Sequence, residues 1–193
     1  MRWLVLEKET KKNELMEWIK AILIGIVIAW AVPFFLFMPT EVQGASMMPT
    51  FEDGDKVVVN KIGPKLTEYN RFDVIVFKAT EEDNYIKRII GLPGDHIAYK
   101  DDVLYVNGKK YDEPYLDKYK DELIDNGTLT QDFTLEETLN ETVVPDGHFF
   151  VLGDNRRYSR DSRDPNVGFV SEEQVLGTVD VRVWPLNHLG LIK

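Results

Sequence analysis

A chain of 193 residues has room for one full domain and a small appendage, and its 44% hydrophobic content is enough for a core, which sets disorder aside. A formal net charge of −10 lacks the basic face that phosphate binding needs, so nucleic acid is not an expected partner. There is no cysteine, and the three histidines (His96, His148, His188) form no ligand-like pair. That excludes a disulfide frame, a thiolate nucleophile and the usual zinc sites; no metal or cofactor is expected, although so acidic a chain still allows carboxylate-only Mg²⁺ or Ca²⁺ sites.

Residues 1–20 carry Arg2, Lys8, Lys11, Lys12 and Lys20. From Ala21 to Met38 follow 18 residues with no charged or strongly polar side chain. As a helix they span about 27 Å, close to the hydrocarbon thickness of a bilayer. A buried core helix is the alternative for such a run. Trp18 stands just before it, where an amphipathic ring favours the interface, and Pro33 is tolerable in a membrane helix though able to kink it. The stretch exceeds the apolar region of a cleaved secretory signal, and no small-x-small site follows promptly, so an uncleaved anchor is expected. Residues 39–58 hold one cation, Lys56, and the positive-inside bias puts residues 1–20 in the cytoplasm and 39–193 outside. That outer part has 155 residues, with 18 of the 23 basic and 29 of the 33 acidic side chains, a net charge of −11.

The outer part reads as mainly β. β-Branched and aromatic runs recur at Val57–Val59, Val74–Phe77, Tyr85–Ile90, Ile97–Tyr99, Val103–Val106, Phe149–Leu152 and Thr178–Trp184, about seven strands separated by turn-formers. Asn107-Gly108, between Val106 and Lys109, predicts a type I′ hairpin. Helical periodicity beyond the anchor is confined to a weak signal at Leu135–Leu139. Residues 112–141 are charged and aperiodic and are expected to form a surface insertion outside the core. Two sequons there, at Asn126 and Asn140, are short enough patterns to arise by chance.

Three segments carry candidate chemistry. Gly44-Ala45-Ser46-Met47-Met48-Pro49-Thr50 begins six residues after the apolar run. A serine among small residues, followed by a stiffening proline, presents its hydroxyl to an extended substrate; by itself the segment also reads as a linker with a turn serine. A serine needs a base, and none of the histidines sits in a recognisable setting, His148 reading as a core or edge residue. Lysine serves if it is neutral, which requires burial. In Tyr85-Ile86-Lys87-Arg88-Ile89-Ile90 the strand period places Lys87 on one face with Tyr85 and Ile89, flanks able to desolvate the amine; a lysine snorkelling from an edge strand is the other reading. Arg88, on the opposite face, cannot lose its proton and is expected to support the fold. Gly153-Asp154-Asn155-Arg156-Arg157-Tyr158-Ser159-Arg160-Asp161-Ser162-Arg163-Asp164, straight after an apolar strand, is either a solvated charged loop or a built turn.

Taken together these segments resemble the bacterial type I signal peptidases. The resemblance rests on ordered motifs behind the apolar run. These are Ser46-Met47-Met48-Pro49-Thr50, Gly54-Asp55-Lys56-Val57-Val58-Val59-Asn60-Lys61, Arg71-Phe72-Asp73-Val74-Ile75-Val76-Phe77, Tyr85-Ile86-Lys87-Arg88-Ile89-Ile90-Gly91-Leu92-Pro93-Gly94-Asp95, and Gly153-Asp154-Asn155-Arg156 leading to Ser159, Asp161, Ser162 and Arg163. They cover about residues 17–163, with 100–145 outside any motif. The resemblance implies an endopeptidase that removes signal peptides from secretory preproteins, with small residues at the −1 and −3 positions before the cut. In it Ser46 is the nucleophile, Lys87 the general base, Ser159 a hydrogen-bond partner of the amine, and Asp161 with Arg163 a pair that holds the loop. Gly44, Tyr85 and Ile86 fall to the substrate-binding side. The implied fold is two antiparallel sheets with a partly apolar face near the membrane. Gram-negative members place a serine hydroxyl in the oxyanion hole where this chain has Gly44, so a backbone donor, chiefly the Ser46 N–H, takes that role here. The single anchor and short length look like the Gram-positive branch. Rival expectations are a self-cleaving Ser/Lys repressor, which needs a DNA-binding region, and a non-enzymatic membrane-anchored binding module on the same fold.

Overall fold

The computed structural model describes residues 2–63, 67–124 and 127–192, with side chains described except at 2–15 and 33–35. The chain divides into two compact units, Met1–Met38 and Pro39–Lys193.

The first unit is one long helix, α1 (Arg2–Leu36). It stops two residues short of the expected Met38: Pro39 disfavours helical backbone at the residue before it, and Phe37 and Met38 pass into a strand. Its described side chains from 16 to 30 are all exposed, Trp18, Ile22, Leu23, Ile26 and Trp30 among them. Among the described residues, no helix is long and apolar enough to cross a membrane. Three positions of the apolar run, 33–35, and with them the expected kink at Pro33, lie outside the described side chains.

The mainly β expectation for the second unit is borne out. The strands are β1 (Phe37–Glu41), β2 (Lys56–Asn60), β3 (Val74–Lys78), β4 (Asn84–Gly91), β5 (Ile97–Lys100), β6 (Val103–Val106), β7 (Lys109–Tyr111), β8 (Phe133–Thr134), β9 (His148–Leu152), β10 (Val170–Ser171), β11 (Val175–Trp184) and β12 (Gly190–Leu191). The larger sheet runs β1-β2-β11-β3-β4-β9-β10, with β12 also on β11; the smaller runs β7-β6-β5-β8. Pairings from β2 to β10 and within the small sheet are antiparallel. The seven runs read from the sequence fall in β2, β3, β4, β5, β6, β9 and β11. Among the described residues, the five further strands are only two to five residues long, too short for a period of two to stand out. Asn107 and Gly108 both have positive φ (52° and 75°), as a type I′ turn requires.

Among the described residues, apolar clusters form on both faces of β4 and β9. Ile90, Phe150 and Leu152 of the large sheet pack with Ile97, Tyr99, Leu104 and Phe133 of the small one. Ile75, Phe77, Ile89, Phe149, Val151 and Val170 form the other cluster, on the opposite face of β4 and β9. β4 therefore contributes alternate side chains to both, and a lysine placed in register with Ile89 is surrounded by apolar neighbours.

The insertion departs from expectation. Residues 112–141 are not simply a surface excursion: Leu116, Leu129, Phe133 and Leu135 are buried, and so are Glu113 and Thr130. It contains two short helices, α2 (Asp117–Asp121) and α3 (Leu135–Leu139), the latter starting with a reciprocal capping box between Thr134 and Glu137. Its buried groups come singly, against partners distant in sequence, so they leave no periodic trace. Asn126 of the first sequon lies outside the described residues.

Candidate active site

After β1 the chain buries Val42 and turns tightly through residues 44–51. The Phe51 N–H donates to the Met47 carbonyl at 2.9 Å, and both side chains are essentially inaccessible, so hydrophobic burial pins the turn just after Ser46. Gly44 stands at its entrance with φ +83°, a left-handed conformation that glycine adopts without steric cost. Its N–H donates to Asp53 Oδ1 at 2.7 Å. Ser46 itself is half-buried. Among the described residues its N–H donates to no protein acceptor.

Lys87 comes from the middle of β4, opposite Ile75 of β3. It is 3% exposed, and its Nζ lies 5.3 Å from the centre of the Tyr85 ring. The face shared with Tyr85 and Ile89 is the one that alternation assigns. Nζ is 2.7 Å from Ser46 Oγ and 2.9 Å from the Ile86 carbonyl, which brings together two residues 41 positions apart. Burial disfavours the ammonium and lowers its pKa from 10.5 to about 8, against the opposing pull of the Asp161 and Asp154 carboxylates. In the neutral form the amine lone pair can take the Ser46 proton, which is what turns a hydroxyl into a nucleophile.

The segment after β9 is a built turn. Arg163 grips Asp161 through two bonds of 2.8 Å and donates to the Arg156 carbonyl at 2.7 Å, while Asp161 accepts the Gly153 N–H at 3.1 Å. The Val151 N–H donates to Ser162 Oγ at 2.9 Å. Gly153 leaves no space for a Cβ, which would collide with Ser159 Oγ and the Ser46 carbonyl. Ser159 is thus packed beside the Ser46 backbone; its Oγ is buried and no hydrogen bond joins it to Lys87 or to another described group.

Neighbours of the site also come from positions outside the expected catalytic, supporting-loop and substrate-side residues. Asp154 and Arg88, both fully buried, pair at 2.9 and 2.6 Å, and Thr50 Oγ1 donates to the same carboxylate, tying the serine turn to β4. Arg88 thereby fills the supporting role expected of it. Arg156, inside the molecule, meets Glu113 at 2.6 Å, Tyr99 Oη at 2.6 Å and the Gly153 carbonyl at 3.1 Å, which plants the start of the insertion behind the turn. Asn155 donates its backbone N–H to the Ser46 carbonyl and its side-chain Nδ2 to the Ala45 carbonyl, each at 3.0 Å. Asp154, Asn155 and Arg156 lie inside a motif already singled out; nothing in the sequence links Glu113 to Arg156.

Ser46 and Lys87 open into a cleft of about 270 Å³, whose walls include Val42, Met47, Val76, Tyr85 and Ile86, with Glu41, Glu82 and Asp83 at its polar edge. Of the three residues expected on the substrate-binding side, Tyr85 and Ile86 line this cleft and Gly44 stands outside its lining. A larger depression of about 700 Å³ includes Ser159 and Arg163 but neither Ser46 nor Lys87. Among the described residues no cluster of His, Asp or Glu could hold a metal ion.

Antiparallel sheets that carry a hydroxyl in contact with a buried, weakly basic amine, both lining one cleft, have the form of a serine hydrolase. Residues 15–184 match the family model "Signal peptidase, peptidase S26". Signal peptidase I of Bacillus caldolyticus is 51% identical over 167 residues, covering 86% of this chain and 90% of that protein. Signal peptidase IB of Staphylococcus aureus is 44% identical over 180 residues, covering 92% of this chain and 93% of that protein. A crystal structure of a signal peptidase I from Enterococcus faecalis V583 superposes with a TM-score of 0.54 at 43% identity, covering 58% of this chain and 97% of that one. The chain belongs to the signal peptidase family, peptidase S26, and is a serine peptidase, a hydrolase.

Proposed function

We propose that this chain removes N-terminal signal peptides from secretory preproteins, with Ser46 as nucleophile and Lys87 as general base. The observation that carries the reading is the 2.7 Å contact between Ser46 Oγ and a buried amine whose pKa has come down to about 8. In acylation the hydroxyl gives its proton to Nζ as Oγ bonds to the scissile carbonyl carbon. Lys87 then returns the proton to the leaving amine as the C–N bond breaks, which leaves an acyl-enzyme; a water attacks the ester carbon, gives its proton to the same amine, and the amine passes it to Ser46 Oγ as the ester C–O bond breaks. Ser159, its hydroxyl buried and unengaged beside the Ser46 backbone, is suited to orient the amine, and Asp161 with Arg163 holds that loop. An extended substrate lies along the cleft, where Tyr85 and Ile86 leave space for small residues at −1 and −3.

The same reading has residues 21–38 span the membrane with the N-terminus in the cytoplasm and residues 39–193 on the outer side. It is supported by 18 residues without a charge and by exposed apolar side chains along the described part of α1. Seven residues, 39–45, separate that run from Ser46, so the nucleophile is tethered near the surface from which a signal peptide emerges, and the encounter becomes local.

The test is cleavage of a preprotein by the purified chain in detergent, beside Ser46→Ala and Lys87→Ala. Both variants are expected to lose processing while keeping the β-sheet circular dichroism of the parent. Full activity in Lys87→Ala would remove the lysine from the mechanism. Loss of activity in neither variant would favour a non-enzymatic binding module with a contaminating protease.

A further inference from the structure

Asn155 is 4% exposed, and every polar group it carries is committed. Its N–H donates to the Ser46 carbonyl and its Nδ2 to the Ala45 carbonyl, both at 3.0 Å, while its Oδ1 accepts the Tyr119 hydroxyl at 3.1 Å. The orientation of the amide is chemically forced, because a carbonyl can only accept and so must face the NH₂. The Met48 N–H adds a longer bond, 3.2 Å, to the same Ala45 carbonyl.

What this holds is the peptide unit between Ala45 and Ser46. That unit is planar and trans, so its C=O and N–H point in opposite directions. Fixing the Ala45 oxygen against Asn155 therefore turns the Ser46 N–H away from Asn155. Among the described residues that N–H has no acceptor. Gly44, two residues earlier, has no side chain with which to supply a second donor. A donor that the fold aims and leaves unoccupied, on the residue whose hydroxyl touches the amine, is what a developing oxyanion needs.

We propose that Asn155 is a positioning residue that aims the Ser46 N–H at the oxyanion, and that Tyr119, from the insertion, locks the Asn155 amide in that pose. The inference rests on the reading of Ser46 as nucleophile. It gives the insertion a part in the reaction: α2 lends one hydroxyl, and the hydroxyl acts through Asn155 on a backbone donor that never touches the insertion.

The experiment compares two inhibitors on the full chain in detergent. One is a substrate-like peptide ending in an aldehyde; Ser46 Oγ adds to its carbon, the hydroxyl proton passes to Lys87, and the former carbonyl oxygen becomes the alkoxide held by the N–H. The other is the same peptide ending in a primary amide, which binds without reacting. Removing a true oxyanion donor costs on the order of 10²–10³ in rate, and misaiming one should cost somewhat less. Asn155→Ala is expected to weaken the aldehyde about 10- to 100-fold, leave the amide within about twofold, and lower kcat with KM unchanged. Tyr119→Phe should do the same by a few-fold. Should Asn155→Ala not fold, Asn155→Asp keeps the size but offers the Ala45 carbonyl no donor, and the same selective loss is expected. Equal weakening of both inhibitors, or of neither, overturns the proposal. Ser46→Ala separates the two levels: if it keeps the aldehyde preference, the nucleophile assignment fails; if it abolishes the preference while the Asn155 variants keep it, only the positioning role fails.

Discussion

Replacing Lys87 by methionine should make the protein more stable at neutral pH while abolishing its activity. The amine is buried, and its pKa falls from 10.5 to about 8, which at about 1.4 kcal/mol per pH unit corresponds to roughly 3 kcal/mol. The sign follows from proton counting. Between about pH 8 and 10.5 the unfolded chain holds the Lys87 proton and the folded chain has released it, so wild-type stability from this group rises with pH across that window. Below pH 8 the full penalty is present, and above 10.5 it is gone. Methionine fills a similar volume and carries no charge, so it escapes the penalty. Against this, Lys87 loses its bonds to Ser46 Oγ and the Ile86 carbonyl, worth about 1 kcal/mol each, which leaves a net gain of about 1 kcal/mol. For a domain of this size that is about 2–4 °C in Tm. The assay is thermal and urea unfolding of both full-length chains in detergent at several pH values, read by β-sheet circular dichroism. A variant less stable than the parent at about pH 7, or a difference that does not shrink as pH rises toward 10.5, would refute the claim that burial of the amine sets its pKa.

Two other outcomes follow from the same contacts. Peptidase activity should fall about tenfold per pH unit below about pH 8, since the protonated amine cannot accept the Ser46 proton; a rate constant through this range would contradict a lysine base. Glu113→Ala should cost about 3–5 kcal/mol, measured by urea denaturation, because it strands the Arg156 guanidinium without a counter-charge in a site it shares with Tyr99 and Thr130; a loss under about 1 kcal/mol would show that the insertion is dispensable to the fold.

Much of the molecule follows from local rules that a linear chain displays. Asn107-Gly108 dictates its own turn because both residues tolerate positive φ, and Thr134 with Glu137 starts α3 by satisfying each other's backbone donors. Alternation along Tyr85–Ile90 sends Lys87 and Arg88 to opposite faces, so a candidate base and a structural cation can be told apart before any contact is known. The insertion shows the limit of such rules. Glu113, Tyr119 and Thr130 look like a solvated, charged stretch, since a buried ion pair and an exposed one have the same spelling; only the partner decides, and Arg156 lies 43 positions from Glu113.

The sequence by itself determined the residue types a serine peptidase needs, their order, and the face of the strand from which the lysine projects. Tertiary structure decided whether they work. The 2.7 Å approach of Ser46 to Lys87 depends on the turn at 44–51 being pinned against β4 by Met47, Phe51 and the Arg88–Asp154 pair. The lowered pKa is a property of the apolar surroundings, not of the lysine, and the Ala45 carbonyl that precedes Ser46 is held by Asn155, 110 positions along the chain. Dielectric environment and hydrogen-bond direction are sums over neighbours that only folding brings into contact, and no local pattern in the chain encodes them.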